Sequence, residues 1–499
     1  MNRPKILIFI VAYNAEKTLK SVISRIPENL REFDTEILVI DDCSKDQTFQ
    51  EGLRVESGDS KFRIMVLRNP ENLGYGGNQK LGYRYAIDKQ FDFVALVHGD
   101  GQYAPEKLPE LLQPLIHGEA DVVFGSRMIN KKDAIKGGMP LYKWIGNQIL
   151  TTFQNFVLGS NLSEFHTGYR LYSIESLKKI PFERNANDFH FDTDIIVQIH
   201  MAGLSIIEKP IPTFYGDEVC HVNGFKYAWD ICISTIRGKL HLLNLFYDRK
   251  YDLGQPQFNY DLKLGFPSSH TVALDAVKTE SRILDIGCGQ GLVACKIAEK
   301  AASVVGLDQY AMNTKNPKVQ ILSCDLDSYQ IPVDVSQFDQ VFMLDIIEHL
   351  KDPETFMENL RVAAKTKRPE IVITTANVGF FSVRLMLLLG KFNYGRKGIL
   401  DRTHTRLFTF ESLTELLQQT GYSVLEVKGI PAPFPKAIGD NFLSKVFLSL
   451  NQWLIKIRKG LFSYQIFVRV KSHPTVQHLL SETLEASCSL KEIVKKSNH

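Results

Sequence analysis

At 499 residues the chain can hold two or three domains, each with its own core. An apolar fraction of 44% and a charged fraction of 23% are those of an ordinary soluble globular protein, and a net charge of +3 gives no general attraction to nucleic acid. The charge is uneven, with seven Lys/Arg against the single acid Asp440 between Lys436 and Lys471.

Short apolar runs alternate with amphipathic stretches from the start. Runs at 6–12, 36–41, 63–67, 93–97 and 121–125 predict strands, and their alternation with helical patterns predicts a parallel sheet covered on both faces. The first run leads into Tyr13, Asn14 and Glu16 without a small-residue cleavage pattern, so it reads as a strand and not a signal peptide. Around residue 250 the chain turns polar, aromatic and punctuated by Gly and Pro, as linkers are. Alternation restarts with runs at 282–287, 303–308, 319–325, 340–345 and 370–375, and runs at 423–427 and 464–470 complete a second sheet. The expected organisation is an α/β domain over 1–247, a linker over 248–269, a second α/β domain over 270–475 and a tail over 476–499. No run reaches the ~18 apolar residues of a membrane span. The seven cysteines are scattered, odd in number and without a C-x-x-C pair, which argues against a disulfide framework or zinc site and for a reducing compartment.

Four loops of the first half follow predicted strands: "VAYNAEKTL", "VIDDCSKDQT", "NPENLGYGGNQKLG" and "HGDGQY". Carboxyl ends of parallel strands are where ligands bind in open α/β sheets. With "SEFHTGYRLYS" and "FDTDIIVQIHMAGLSIIEKPIP", these segments in this order resemble the family 2 glycosyltransferases, the GT-A group that includes dolichyl-phosphate mannose synthase. The resemblance implies a GT-A-like fold, a nucleotide-diphosphate sugar donor, and a glycan, glycolipid or polyprenyl-phosphate acceptor. It places Asp100 at a Mg²⁺ or Mn²⁺ site, because one carboxylate can suffice for an ion whose other ligands are phosphate and water. The family's D-x-D has His98 at its first position here. Asp41 and Asp42 correspond to acids that contact the base and ribose, and Tyr13 and Asn14 fall where the first strand meets the base; a turn-forming role for the two acids is the alternative. Inverting transfer needs a base unless the acceptor is already an anion. Glu164, four residues before Gly168, is the first candidate; Asp192 and Asp194 are the second, with Asp194 expected to face the cleft beside Asp100. His166 and Arg170 could bind a diphosphate or an anionic acceptor, or Arg170 could form a structural salt bridge.

In the second half, "RILDIGCGQGLVACKIAE" reads as strand, glycine turn and helix. Gly287, Gly289 and Gly291 give G-x-G-x-G after Asp285, which is not the dinucleotide spacing G-x-G-x-x-G. With "FDQVFMLDIIEHLKDPETFMENL" the segment resembles the class I methyltransferases, Rossmann-like enzymes of the ubiquinone-type O-methyltransferase kind. The resemblance implies S-adenosylmethionine, with Asp308 on the ribose hydroxyls and Asp325 near the adenine amine. A hydroxyl acceptor gains from a base, for which His349 and His404 are the available imidazoles, with Asp345 and Glu348 nearby.

The stretch 441–460 places Phe442, Val446, Phe447, Leu450, Trp453, Leu454 and Ile457 on one helical face beside Lys456, Arg458 and Lys459. Such a helix can lie on a membrane, but its place between the last two strands favours packing. The sequence reading is a bifunctional glycosyltransferase and methyltransferase acting on one glycan or glycolipid, cytoplasmic, with room for peripheral contact at the inner membrane face. The alternative keeps the first domain catalytic and makes the second a cofactor-sensing or scaffold module.

Overall fold

The computed structural model describes residues 3–58, 61–214, 224–243, 246–254, 262–310, 314–328, 330–364, 367–481, 483–484 and 487. It divides into two units, Met1–Pro256 and Gln257–His499. Each is built on a seven-stranded sheet.

The first unit contains β1 (Lys5–Ala12), β2 (Asp34–Asp41), β3 (Arg63–Arg68), β4 (Phe93–His98), β5 (Val122–Ser126), β6 (Arg170–Ser173) and β7 (Ile206–Pro210), in the order β3-β2-β1-β4-β6-β5-β7. β1 is apolar at nearly every position because both its faces are covered. Side chains alternate: Ile6, Ile8 and Ile10 join Ile37, Val39 and Val97 in one core, while Leu7 and Phe9 join Leu38, Leu96 and Phe124 in the other. The sheet order reverses between β1 and β4, and an open crevice forms at such a switch point, beyond the strands' carboxyl ends.

The second unit repeats the logic with β8 (Arg282–Ile286), β9 (Ser303–Asp308), β10 (Val319–Ser323), β11 (Gln340–Leu344), β12 (Glu370–Ala376), β13 (Tyr422–Ile430) and β14 (Gln465–Ser472), in the order β10-β9-β8-β11-β12-β14-β13. Leu284, Ile286, Val341 and Met343 face one core, and Ile283, Phe342 and Val372 the other. Its switch point lies between β8 and β11.

Neither sheet is the all-parallel one expected. β6 runs antiparallel to β4 and β5, and β14 antiparallel to β12 and β13. The alternation of runs and helices foretells the parallel pairs, which are the majority, but does not mark a strand that reverses direction as β6 and β14 do. β6 and β7 were also not foreseen: β6 is the four-residue "RLYS" led by a buried arginine, which breaks the apolar run. Of the stretch read as a linker, Lys250 and Tyr251 pack on the first unit, Tyr251 within its core; Leu262 packs on the second. Residues 255–261, and most of the stretch read as a tail, lie outside the described residues.

Candidate active sites

In the first unit the backbone draws three strand ends together: Asp42 N–H donates to Ala12 O and Gly99 N–H to Val11 O, both at 2.9 Å. Asn14 takes a positive φ of 52° there, its N–H donating to Ser44 Oγ at 2.8 Å, while Tyr13 stays exposed. The two acids after β2 differ. Asp42 is buried and accepts from Asn69 Nδ2, Leu73 N and Gly74 N at 2.7–2.9 Å, so its carboxylate pins the loop after β3. Asp41 uses Oδ1 on Ser44, while its Oδ2 is buried without a hydrogen bond, 3.5 Å from Arg68 Nε.

After β4, the His98 ring sits edge-on to Tyr75 and Tyr103, with centroids 5.5 and 5.0 Å away. Burial lowers its pKa against the pull of Asp100 and Asp192, which favours the neutral imidazole. The ring leaves no room for a side chain opposite: a Cβ on Gly168 would lie 2.5 Å from it. Asp100 Oδ1 accepts the N–H of Gln102 at 3.0 Å in a local turn. Among the described residues no group of three or more His, Cys, Asp or Glu converges on a metal position. Asp100 is a lone hard oxygen donor, which fits only an ion that shares its sphere with a diphosphate and water.

Asp192 lies next to this loop. Tyr75 OH donates to its Oδ2 at 3.0 Å and stands 3.4 Å from His98 Nε2, while Asp192 Oδ1 is buried without a hydrogen bond. Burial raises the Asp192 pKa and the neighbouring Arg170 opposes it. Asp194 does not face the cleft beside Asp100. Residues two apart on a helix point about 200° apart, and Asp194 turns to Lys250, Ser234 and Tyr251, at 2.7–3.0 Å. Arg170 is fully buried, donating to Phe165 O, Thr167 O and Asp192 O at 2.8–2.9 Å; the structural reading is the one observed. His166 is held near pKa 4 by burial and is therefore neutral, its Nδ1 3.1 Å from Tyr227 OH.

Glu164 is buried and takes hydrogen bonds from Arg127 N (2.8 Å), Arg127 Nε (3.1 Å), Arg127 Nη2 and Asn147 Nδ2 (2.9 Å). These donors hold its pKa below the usual range in spite of burial, which leaves a weak base. Arg127, one residue beyond β5, was overlooked in the sequence, although it follows an apolar run in the same way as Asp100.

In the second unit the glycine turn is tied down by Gly287 N–H donating to Leu307 O at 2.8 Å. Gly287 has φ 77°, and a Cβ there would lie 2.4 Å from Ile346. Asp308 accepts from Gly289 N at 2.8 Å and Tyr310 N at 3.1 Å, so part of its capacity already shapes the turn. Asp325 is exposed and accepts from Asp327 N. Asp285 is buried with Oδ2 unbonded, and burial with the nearby Asp308 pushes its pKa up to about 7. The folded unit thus holds one proton more than the unfolded chain between roughly pH 4 and 7. This contribution to stability is full below the unfolded pKa and is lost as pH rises through about 7. Asp285→Asn is expected to flatten that slope in a pH series of melting temperatures of the second unit.

His349 and His404, 55 residues apart, meet: their rings are 4.8 Å apart, edge to face. His349 Nδ1 lies 3.1 Å from Thr403 O and His404 Nδ1 2.9 Å from Ile399 O. A carbonyl only accepts, so each Nδ1 carries the proton and each Nε2 is left as an acceptor. Asp345 is held low by Lys263 and by donors from Thr374, Ser269 and Gln465, and the adjacent Glu348 is pushed up by burial and by Asp345.

Residues 7–181 match the family described as Glycosyl transferase family 2, and residues 265–427 a Methyltransferase domain family. A UDP-N-acetylglucosamine–dolichyl-phosphate N-acetylglucosaminyltransferase of Methanococcus voltae is 29% identical, covering 42% of this chain and 86% of that protein. An undecaprenyl-phosphate mannosyltransferase of Micrococcus luteus is 28% identical, covering 42% and 82%. A solved glucosyl-3-phosphoglycerate synthase from Mycobacterium tuberculosis shares 18% identity, covers 47% of this chain and 80% of its own, and has a TM-score of 0.36. The first unit carries a family 2 glycosyltransferase domain and the second a methyltransferase domain, so one chain holds two transferases.

Proposed function

We propose that the first unit transfers a sugar from a nucleotide-diphosphate donor to a polyprenyl phosphate, and that the second methylates a hydroxyl of a related glycan with S-adenosylmethionine. The observation that carries this reading is that each unit gathers carboxylates at the switch-point end of its sheet, Asp41 and Asp100 in one and Asp285 and Asp308 in the other. Polyprenyl-phosphate acceptors are named for both relatives above, which supports that acceptor class.

In the first unit Asp100 would hold Mg²⁺ or Mn²⁺, which supplies charge for the departing diphosphate. A phosphate acceptor is already anionic and needs little help from a base. Glu164 then serves to aim Arg127, and Asp192, whose Oδ1 has no hydrogen bond but lies 3.4 Å from Arg170, is the carboxylate left for proton abstraction. In the second unit Asp285 Oδ2 is a buried oxygen waiting for a donor, which fits the ammonium of the cofactor's amino-acid part. S-adenosylmethionine supplies the electrophilic methyl when bound. The His349–His404 pair presents Nε2 atoms able to take the acceptor proton.

The test is transfer of labelled sugar from nucleotide-sugar donors to polyprenyl phosphate, and of labelled methyl from S-adenosylmethionine to the glycosylated product. Asp308→Ala should weaken S-adenosylhomocysteine binding by about 1.5–3 kcal/mol, as losing charge-assisted hydrogen bonds does, and leave sugar transfer intact. No sugar on polyprenyl phosphate with any donor, or NAD bound in place of S-adenosylhomocysteine, would defeat the respective half.

A further inference from the structure

The helix Phe442–Ile457 is packed the wrong way round for a soluble protein. Its buried residues are Ser444 and Asn451. Asn451 Oδ1 accepts from Ala432 N at 3.0 Å and its Nδ2 donates to Phe462 O at 2.9 Å, so the helix is fastened to the fold by its polar side. The apolar side faces solvent, with Phe442 83%, Trp453 58% and Ile457 62% exposed, and Leu443, Val446, Phe447 and Leu450 exposed beside them. Packing between the last two strands, the favoured expectation, accounts for little of this face.

A second helix exposes apolar side chains in the same way. In Phe381–Leu388 only Val383 is buried, while Leu385, Leu387 and Leu388 are exposed, Leu388 to 83%. The chain leading into it is tied to the chain that follows the first helix: Asn377 Nδ2 donates to Gly460 O and Ser463 O at 3.1 and 2.7 Å, and the Phe381 ring lies tilted against that of Phe462, centroids 6.5 Å apart. The sequence around both helices is predominantly basic, with Lys445 paired to Asp440 at 3.4 Å. Lys436, Lys445, Lys456, Arg458 and Lys459 face the single acid Asp440, and 371–400 holds Arg384, Lys391, Arg396 and Lys397 with no acid.

We infer that these two helices dock the methyltransferase unit on an anionic lipid bilayer. Exposed apolar side chains rimmed by cations match a surface that is apolar at depth and negative at its headgroups. A second copy is the poorer occupant, since a two-fold interface would set the same cationic rims against each other. The helix Phe442–Ile457 extends only about 24 Å at 1.5 Å per residue and carries Lys445 and Lys456, so it lies in the interface and does not cross. No described helix is long and apolar enough to span a membrane.

The experiment is flotation of the full chain with phosphatidylcholine vesicles, with and without phosphatidylglycerol. Binding to the anionic vesicles is expected, and the variant Leu388→Ser/Phe442→Ser/Trp453→Ser should lose at least about tenfold in affinity. Lys445→Glu/Lys456→Glu should remove the preference for phosphatidylglycerol. Unchanged flotation of the triple variant, no binding by the parent chain, or a dimer that the triple variant abolishes without any vesicle binding would each overturn the inference. Sugar transfer to detergent-dispersed polyprenyl phosphate should be the same in parent and variants, so failure of the acceptor reading and failure of docking are told apart.

Discussion

Arg170→Ala is expected to lower the melting of the first unit sharply while leaving that of the second unchanged. The guanidinium is fully buried, lies over the Phe124 ring, and donates to three backbone carbonyls. It also stands 3.4 Å from Asp192 Oδ1, whose carboxylate burial already disfavours. Removing one partner of a buried ion pair leaves an uncompensated charge, which costs about 3–5 kcal/mol. Three carbonyls left without donors add to that cost, because buried acceptors lose their water as well as their partner. At about 2–4 °C per kcal/mol for a unit of this size, the first transition should fall by roughly 6–20 °C. Arg170→Lys keeps the charge but not the three-way fork, so it should recover only part. Scanning calorimetry of the full chain reads both transitions together. A first transition within about 2 °C of the parent would show that the Arg170 network carries no such weight.

Asp100→Asn is expected to lower sugar transfer by about 10²–10³-fold, equivalent to roughly 3–4 kcal/mol of transition-state stabilisation. The substitution keeps an oxygen that can accept from Gln102 N, so the turn should survive and the first unit should melt as before. What it removes is the negative charge that a hard divalent ion requires of its one protein ligand. Methyl transfer should be unaffected, because its residues lie in the other unit. Full sugar transfer by Asp100→Asn, or by the parent chain in excess chelator, would remove the metal from the proposed mechanism. His98 sharpens the test: an imidazole is neutral or positive, so it cannot stand in for the lost negative charge.

The local features were legible in the residues alone. β1 announces itself as an apolar run, and the Gly287–Gly291 turn as glycines behind the acid of β8, because strand burial and tight turns are written within a few neighbouring positions. β6 was hidden by a charge in its first position, and that charge makes sense only once Asp192 and three carbonyls surround it. The choice between Asp192 and Asp194 depended on which side of their helix meets the core, a phase that two acids in a short run do not reveal. Glu164 stood at the anticipated offset, yet its commitment to Arg127 follows from a contact across 37 residues. His349 and His404 were separate candidates in the chain and are a pair in space. The stretch 441–460 shows the division most plainly. Its periodicity determined that one face is apolar, but which face meets the protein was decided by Asn451 bonding to Ala432 and Phe462, and a hydrophobic period carries no record of such long-range partners.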